Sequence, residues 1–233
     1  MFKLRLAGDR GHFDFGWLNT YHSFSFGEYH DPAHIHFRAL RVLNEDRVAP
    51  GQGFPPHPHR DMEILTWVLE GSLQHQDDTG AQGVIRPGDL QIMTAGRGIH
   101  HSEFNASRRE PVHLLQIWLL PSQKSLAPAY QHKHFPLEQQ HNQLCLLACP
   151  AGSGDSLPLH AEALVYVTTL DQNVSLPLTM AASRHLYIHL ARGRLQVADT
   201  VLHPGDALAV SEETSIKLLS LAPDTHALIF DLA

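Results

Sequence analysis

The chain has 233 residues, 43% of them hydrophobic and 18% charged, a composition that suits a globular protein with one large core or two smaller ones. Its formal charge of −7, with no basic run, argues against a nucleic-acid surface. No apolar run reaches the ~18 residues of a membrane-spanning helix, and the N-terminal MFKLRLAGDRG is too polar for a secretory signal.

The first fifty residues read as strands and turns. GWLNTYHSFSFGEYHDP carries alternating aromatics at Tyr21, Phe24, Phe26 and Tyr29 before an Asp31-Pro32 turn. His22, Phe24 and Phe26 share a parity, facing either a cavity or, as we expect, ordinary core. Leu40, Val42 and Val48 then alternate with polar residues as in a half-buried strand.

The stretch from Gly51 to Asn105 carries the chemistry. It opens GQGFPPHPHRDMEILTWVLEG and closes AGRGIHHSEFN. Side chains two apart on a strand share a face, so His57 and His59 point one way together, as do His101 and Glu103. Two such strands facing one interior present three imidazoles and a carboxylate, a donor set for a divalent transition ion. Glu63 has the parity to be an alternative carboxylate. Nineteen histidines make a lone histidine uninformative; His75, His100 and His113 are assigned no role. With a pI near 6.2, they predict a change of charge, and loss of bound metal, on acidification between about pH 7 and 5. Glu70-Gly71, Asp77 to Gly80 and Arg86 to Asp89 are turns between short strands, and PVHLLQIWLLP is an apolar strand. Short strands with such regular turns predict an antiparallel sandwich or barrel.

KSLAPAYQHKHFPLEQQHNQL reads as a connection with at most one helical turn, dividing the chain into residues 1–130 and 131–233. Cys145 and Cys149 share a strand face and read as core thiols, in keeping with a reducing cytoplasm. The second half echoes the first. Gly71-x-Leu73-Gln74 matches Gly193-x-Leu195-Gln196, and Pro87-Gly88-Asp89 matches Pro204-Gly205-Asp206. An ordered repeat predicts the same architecture built twice. Counting from the shared glycine, His57 and His59 fall on Thr179 and Ala181, and no histidine stands in place of His101. The second copy is therefore expected to bind no metal.

These residues carry a resemblance. Gly51, His57-Pro58-His59, Glu63 and Gly71 resemble the first cupin motif, although the interval from Glu63 to Gly71 is one residue longer than usual. Gly88, Gly96, Gly98, His101 and Asn105 resemble the second, without its usual proline and two residues longer. Within the cupins, FSFGEY, HPHRDMEILTWVLEG, HQDDTG, PGDLQIMTAGRGIHHSE and LLQIWLLP are similar to the pirin family over roughly the first 120 residues. The resemblance implies an all-β chain of two tandem jelly-roll cupin barrels, the C-terminal one degenerate.

It further implies one metal, usually iron, on His57, His59, His101 and Glu103. Ni, Cu, Mn, Co or Zn are compatible with the same donors. Glu63, the carboxylate other cupins use, then orients a ligand histidine through its second ring nitrogen. Some bacterial pirins are similar in activity to quercetin 2,3-dioxygenase, which opens the heterocyclic ring of a flavonol with O₂ and releases carbon monoxide. Glu103 is the candidate general base for the flavonol 3-hydroxyl, and Phe54, Met93 and Phe104 are candidates for an apolar mouth. Other pirins resemble iron-dependent redox-sensing modules that bind other proteins, the alternative reading here.

Overall fold

The structure, a computed structural model, describes residues 1–233. Helix is confined to the turns Ala7–Asp9 and Leu137–Gln140, the second of them the single turn expected in the connection. The chain folds as two compact units. One comprises Gly11–Phe135 with Leu159–Ala161; the other comprises Met1–Arg10, Pro136–Pro158 and Glu162–Ala233. The boundary expected after residue 130 thus falls at Phe135/Pro136. The first ten residues go with the second unit, because Phe2–Arg5 pairs antiparallel with Ala207–Val210.

The first unit has a seven-stranded and a four-stranded sheet. The larger is centred on Glu63–Glu70 and Val112–Leu119, flanked by Leu40–Val48 on one side and Asp89–Thr94 on the other. Its edge strand Ala129–His134 was expected as part of a connection. AYQHKH lacks the apolar alternation that marks a strand, and pairing with Asp89–Thr94 supplies what propensity does not. The smaller sheet runs Gly53–His59, Ile99–Asn105, Leu73–Asp77, Gln82–Ile85. Gly53 is needed there. A Cβ at this position would meet the Glu103 carbonyl oxygen at 2.2 Å, so only glycine lets these two strands close up beside Glu103.

The first unit's core is divided. One apolar cluster holds Val48, Val68, Leu73 and Leu114; another holds Ile64, Met93 and Ile99. Across the larger sheet runs a buried polar row. Asn44 pairs with Gln116, Gln116 with Thr66, and Thr66 with Gln91. Side chains on adjacent strands at one register share a face, so four polar residues on four strands form one strip.

The second unit repeats the arrangement of seven strands and four. The shared turns are conformationally alike: Gly71 and Gly193 have φ of 78° and 80°, and Gly88 and Gly205 both have 87°. The register also corrects the expected equivalence. Leu73 pairs with Asn105 as Leu195 pairs with Ser220, so His101 corresponds to Ile216 and Glu103 to Leu218. His101 pairs with His57 and Ile216 with Leu178. His57 and His59 therefore correspond to buried Leu178 and Met180, not to the exposed Thr179 and Ala181. The segment from Leu178 to Gly193 is one residue longer than that from His57 to Gly71, and one residue reverses the facing of a strand.

Candidate metal centre

His57 and His59 lie on one strand of the smaller sheet and His101 on its neighbour, with His101 directly opposite His57. The ring centroids stand 4.4 to 4.8 Å apart, and one nitrogen from each ring falls within 4.8 Å of the other two. Bonds of about 2.1 Å to a common ion would place neighbouring donors about 3 Å apart, a small adjustment of side-chain torsions. Glu103 shares the neighbourhood of His101, where its carboxylate groups with His101 and His75. Four residues brought together by strand parity thus line one cavity of about 250 Å³.

The nitrogens are presented as ligation requires. His57 Nδ1–H donates to the Pro55 carbonyl at 2.8 Å, which leaves Nε2 with its lone pair. His101 Nε2 is buried without any hydrogen-bond partner, an orphan acceptor of the kind a bound ion satisfies. Burial, with His57 nearby, lowers His59 to about 4. Burial, with His57, His59 and His75, lowers His101 to about 2. Both rings are therefore neutral, the form that binds metals. Both shifts oppose protonation of these two rings on acidification. The donor set and the orphan nitrogen fit one divalent ion.

Glu103 is 2% exposed and held by the polar row. Gln116 Nε2 donates to its Oε2 at 2.8 Å, while Thr66 Oγ1 and Gln91 Nε2 approach Oε1 at 3.4 Å. Burial raises its carboxyl to about 7, against the lowering effect of Gln91 and Gln116. None of these three holders is marked by spacing in the sequence, since each comes from a different strand. The cavity is also lined by Asn44 and Asp46. Asn44 Oδ1 is buried without a partner, and Asp46 accepts a hydrogen bond from Thr20 Oγ1. Burial raises Asp46 to about 7, with Thr20 opposing.

Glu63 stands apart from the histidines. Its Oε2 accepts from Thr94 Oγ1 and the His160 backbone N–H, and its Oε1 meets no partner, so it makes no hydrogen bond to a ligand ring. Of the three residues expected at an apolar mouth, Phe54 lines the cavity. Met93 is fully buried in core, and Phe104 alternates to the opposite face, 37% exposed. Phe26, Ile64 and Trp118 complete the apolar wall, with Trp118 edge-on to both His59 and Phe26. Of the aromatic trio, Phe26 thus faces the cavity while Phe24 is core, as expected. His100 is exposed beside Asp78 and His113 pairs with Glu45. His75, by contrast, contacts His101 directly.

Fold and site together define a bicupin: two barrels of one design, of which the first alone gathers metal-binding side chains inside. Residues 3–119 match the pirin family, and residues 146–232 match the quercetinase C-terminal cupin domain. The chain belongs to the pirin family. It is 39% identical to the quercetin 2,3-dioxygenase of Escherichia coli K12 over 232 residues, covering 100% of this chain and 99% of that one. The crystal structure of YhhW from Escherichia coli superposes with a TM-score of 0.96 at 39% identity, covering 100% of this chain and 98% of that chain. The bacterial pirin YhhW in complex with nickel(II) gives 0.94 at 40% identity, covering 100% and 99%. No helix is long and apolar enough to cross a membrane.

Proposed function

We propose that the chain is a metal-dependent dioxygenase that opens the heterocyclic ring of flavonols such as quercetin with O₂, releasing carbon monoxide. The observation that carries this reading is the junction of the histidine triad and Glu103 with a cavity that Phe26, Phe54 and Trp118 also line. His57, His59, His101 and Glu103 would hold one ion, Fe(II) in the first instance, with Ni, Cu, Mn, Co or Zn as alternatives that the same donors accept. Bound there, the ion acts as a Lewis acid toward the flavonol 3-hydroxyl and the neighbouring carbonyl.

The protein's residues do the rest. Glu103 accepts the 3-hydroxyl proton, while Gln116, Gln91 and Thr66 keep its carboxylate aimed inward. Phe54, Trp118, Phe26 and Ile64 exclude water and offer flat apolar contact to the fused rings. Asn44 Oδ1, otherwise unpartnered, and Asp46 receive substrate hydroxyl groups. The second barrel is a scaffold without a metal. Cys145 and Cys149, both buried and neither in a disulfide, accord with a cytoplasmic protein.

The test is loss of quercetin absorbance in air, on protein reconstituted with Fe(II) and each other divalent ion, beside the His101→Ala variant. Metal-dependent turnover absent from the variant is the expected result and names the working ion. One ion bound without turnover would reject the flavonol and point to a redox-sensing, protein-binding module. No bound ion would reject the ligand assignment.

A further inference from the structure

His75, one of the histidines without a role in the sequence reading, ties the centre to a second layer. His75 lies on Leu73–Asp77, the strand on the far side of Ile99–Asn105 from His57 and His59. It is wholly buried, and Tyr130 stacks on its ring at 4.7 Å and 20°, fixing the ring plane. Both of its nitrogens are engaged. Nε2 stands 3.1 Å from Asp77 Oδ2, and Nδ1 stands 3.4 Å from His101 Nδ1. With both nitrogens committed, His75 has no lone pair left for an ion.

The direction of these bonds follows from Asp77. Its Oδ1 accepts from Thr79 N–H at 2.9 Å, Thr79 Oγ1 at 2.6 Å and Ala81 N–H at 3.2 Å. Burial pushes its carboxyl up, but the bonds from Thr79, His75 and Ala81 outweigh it and hold the group below the usual carboxylate range. An ionised carboxylate only accepts, so His75 Nε2 carries the hydrogen, and in the neutral imidazole Nδ1 then carries the lone pair. His101 Nδ1 must then donate, and His101 Nε2 is left bare. That is the nitrogen found buried without a partner inside the cavity.

We propose that Asp77 and His75 are positioning residues that set the tautomer of His101, so that its Nε2 lone pair faces the metal site. The proposal rests on the metal reading above. It extends the usual pattern, in which a carboxylate or carbonyl orients a ligand histidine directly, by one further imidazole. It also assigns this orienting role to Asp77 and His75, where the sequence pointed to Glu63.

Asp77→Asn tests the direction of the bonds. The three donors around Oδ1 keep the amide oxygen in that place, which turns the amide nitrogen toward His75. His75 Nε2 must then accept, His75 Nδ1 must donate, and His101 Nε2 takes the hydrogen and loses its lone pair. Nickel(II) affinity of the full chain, measured by competition with a chelator, is expected to fall about 10- to 100-fold. Thermal unfolding of the metal-free variant reports whether it has folded. Unchanged affinity in a folded variant would overturn the proposal.

A second measurement needs no Asp77 variant. Nitrogen-15 spectra of histidine-labelled, metal-free wild type, assigned with His101→Ala, should show His101 protonated at Nδ1 and bare at Nε2. The reverse tautomer would overturn the proposal. Nickel bound by neither chain would instead fail the metal reading, and the spectra would still decide the tautomer.

Discussion

The two barrels share one design and differ in what fills them. Register pairs Thr66 with Ile188, Gln91 with Leu208 and Gln116 with Ile229. It likewise pairs His75 with Val197, beside the ligand positions already matched to Leu178, Met180, Ile216 and Leu218. All eight residues on the second side lie in one continuous apolar cluster. The same positions in the first barrel separate two smaller clusters. Aliphatic side chains need only volume and contact, so one cluster can run through the second barrel. Polar side chains in the same places need partners, and Thr66, Gln91 and Gln116 find one in Glu103 while His75 finds one in His101. The first barrel gives up apolar core for a site, and the second retains it.

The comparison can be broken from either side. The largest effect is expected from Leu218→Glu, which puts a carboxylate in the second barrel where Glu103 stands in the first. No glutamine or threonine is there to receive it, and stability should fall by about 3–5 kcal/mol, read from the urea midpoint. A loss under about 1 kcal/mol would mean that the polar row is not what makes a buried glutamate tolerable.

Gln116→Ile makes the opposite exchange in the first barrel. It removes the 2.8 Å bond to Glu103 and leaves Oε2 buried without that donor. A loss of about 1–3 kcal/mol in the metal-free protein is expected by the same measurement. A gain would show that Glu103 does not depend on the row.

Asp46→Asn sharpens the contrast through pH. Asp46 keeps its proton to about 7 in the folded chain, against an ordinary value of 3.8. The stabilisation from that proton is complete below the ordinary value and is lost as pH rises through the folded value. Metal-free wild type should therefore lose stability relative to Asp46→Asn, by at most ~1.4 kcal/mol per pH unit, and the difference should level off above about pH 7. Urea unfolding in parallel at several pH values reads it. A difference independent of pH would place Asp46 in contact with water.

Much of this was legible in the chain. Alternation and turn residues announce an all-β protein, and a period of two places His57 with His59 and His101 with Glu103. Those features are local, set by backbone geometry over a few residues, so a sequence states them directly. Pairing between strands is not local. Nothing in MFKLR marks it as an edge of the second barrel, and AYQHKH carries no strand pattern of its own. The one-residue insertion that shifts His57 onto Leu178 instead of Thr179 is invisible until register is known. So it is with the site. The amino-acid sequence by itself determined the four candidate ligands: each pair sits two residues apart on one strand, and the resemblance to pirins favoured Glu103 over Glu63. Only the tertiary structure decided what holds them. Gln116, Gln91 and Thr66 reach Glu103, and His75 and Asp77 reach His101, from strands that hydrogen bonding sets side by side, whatever their separation along the chain.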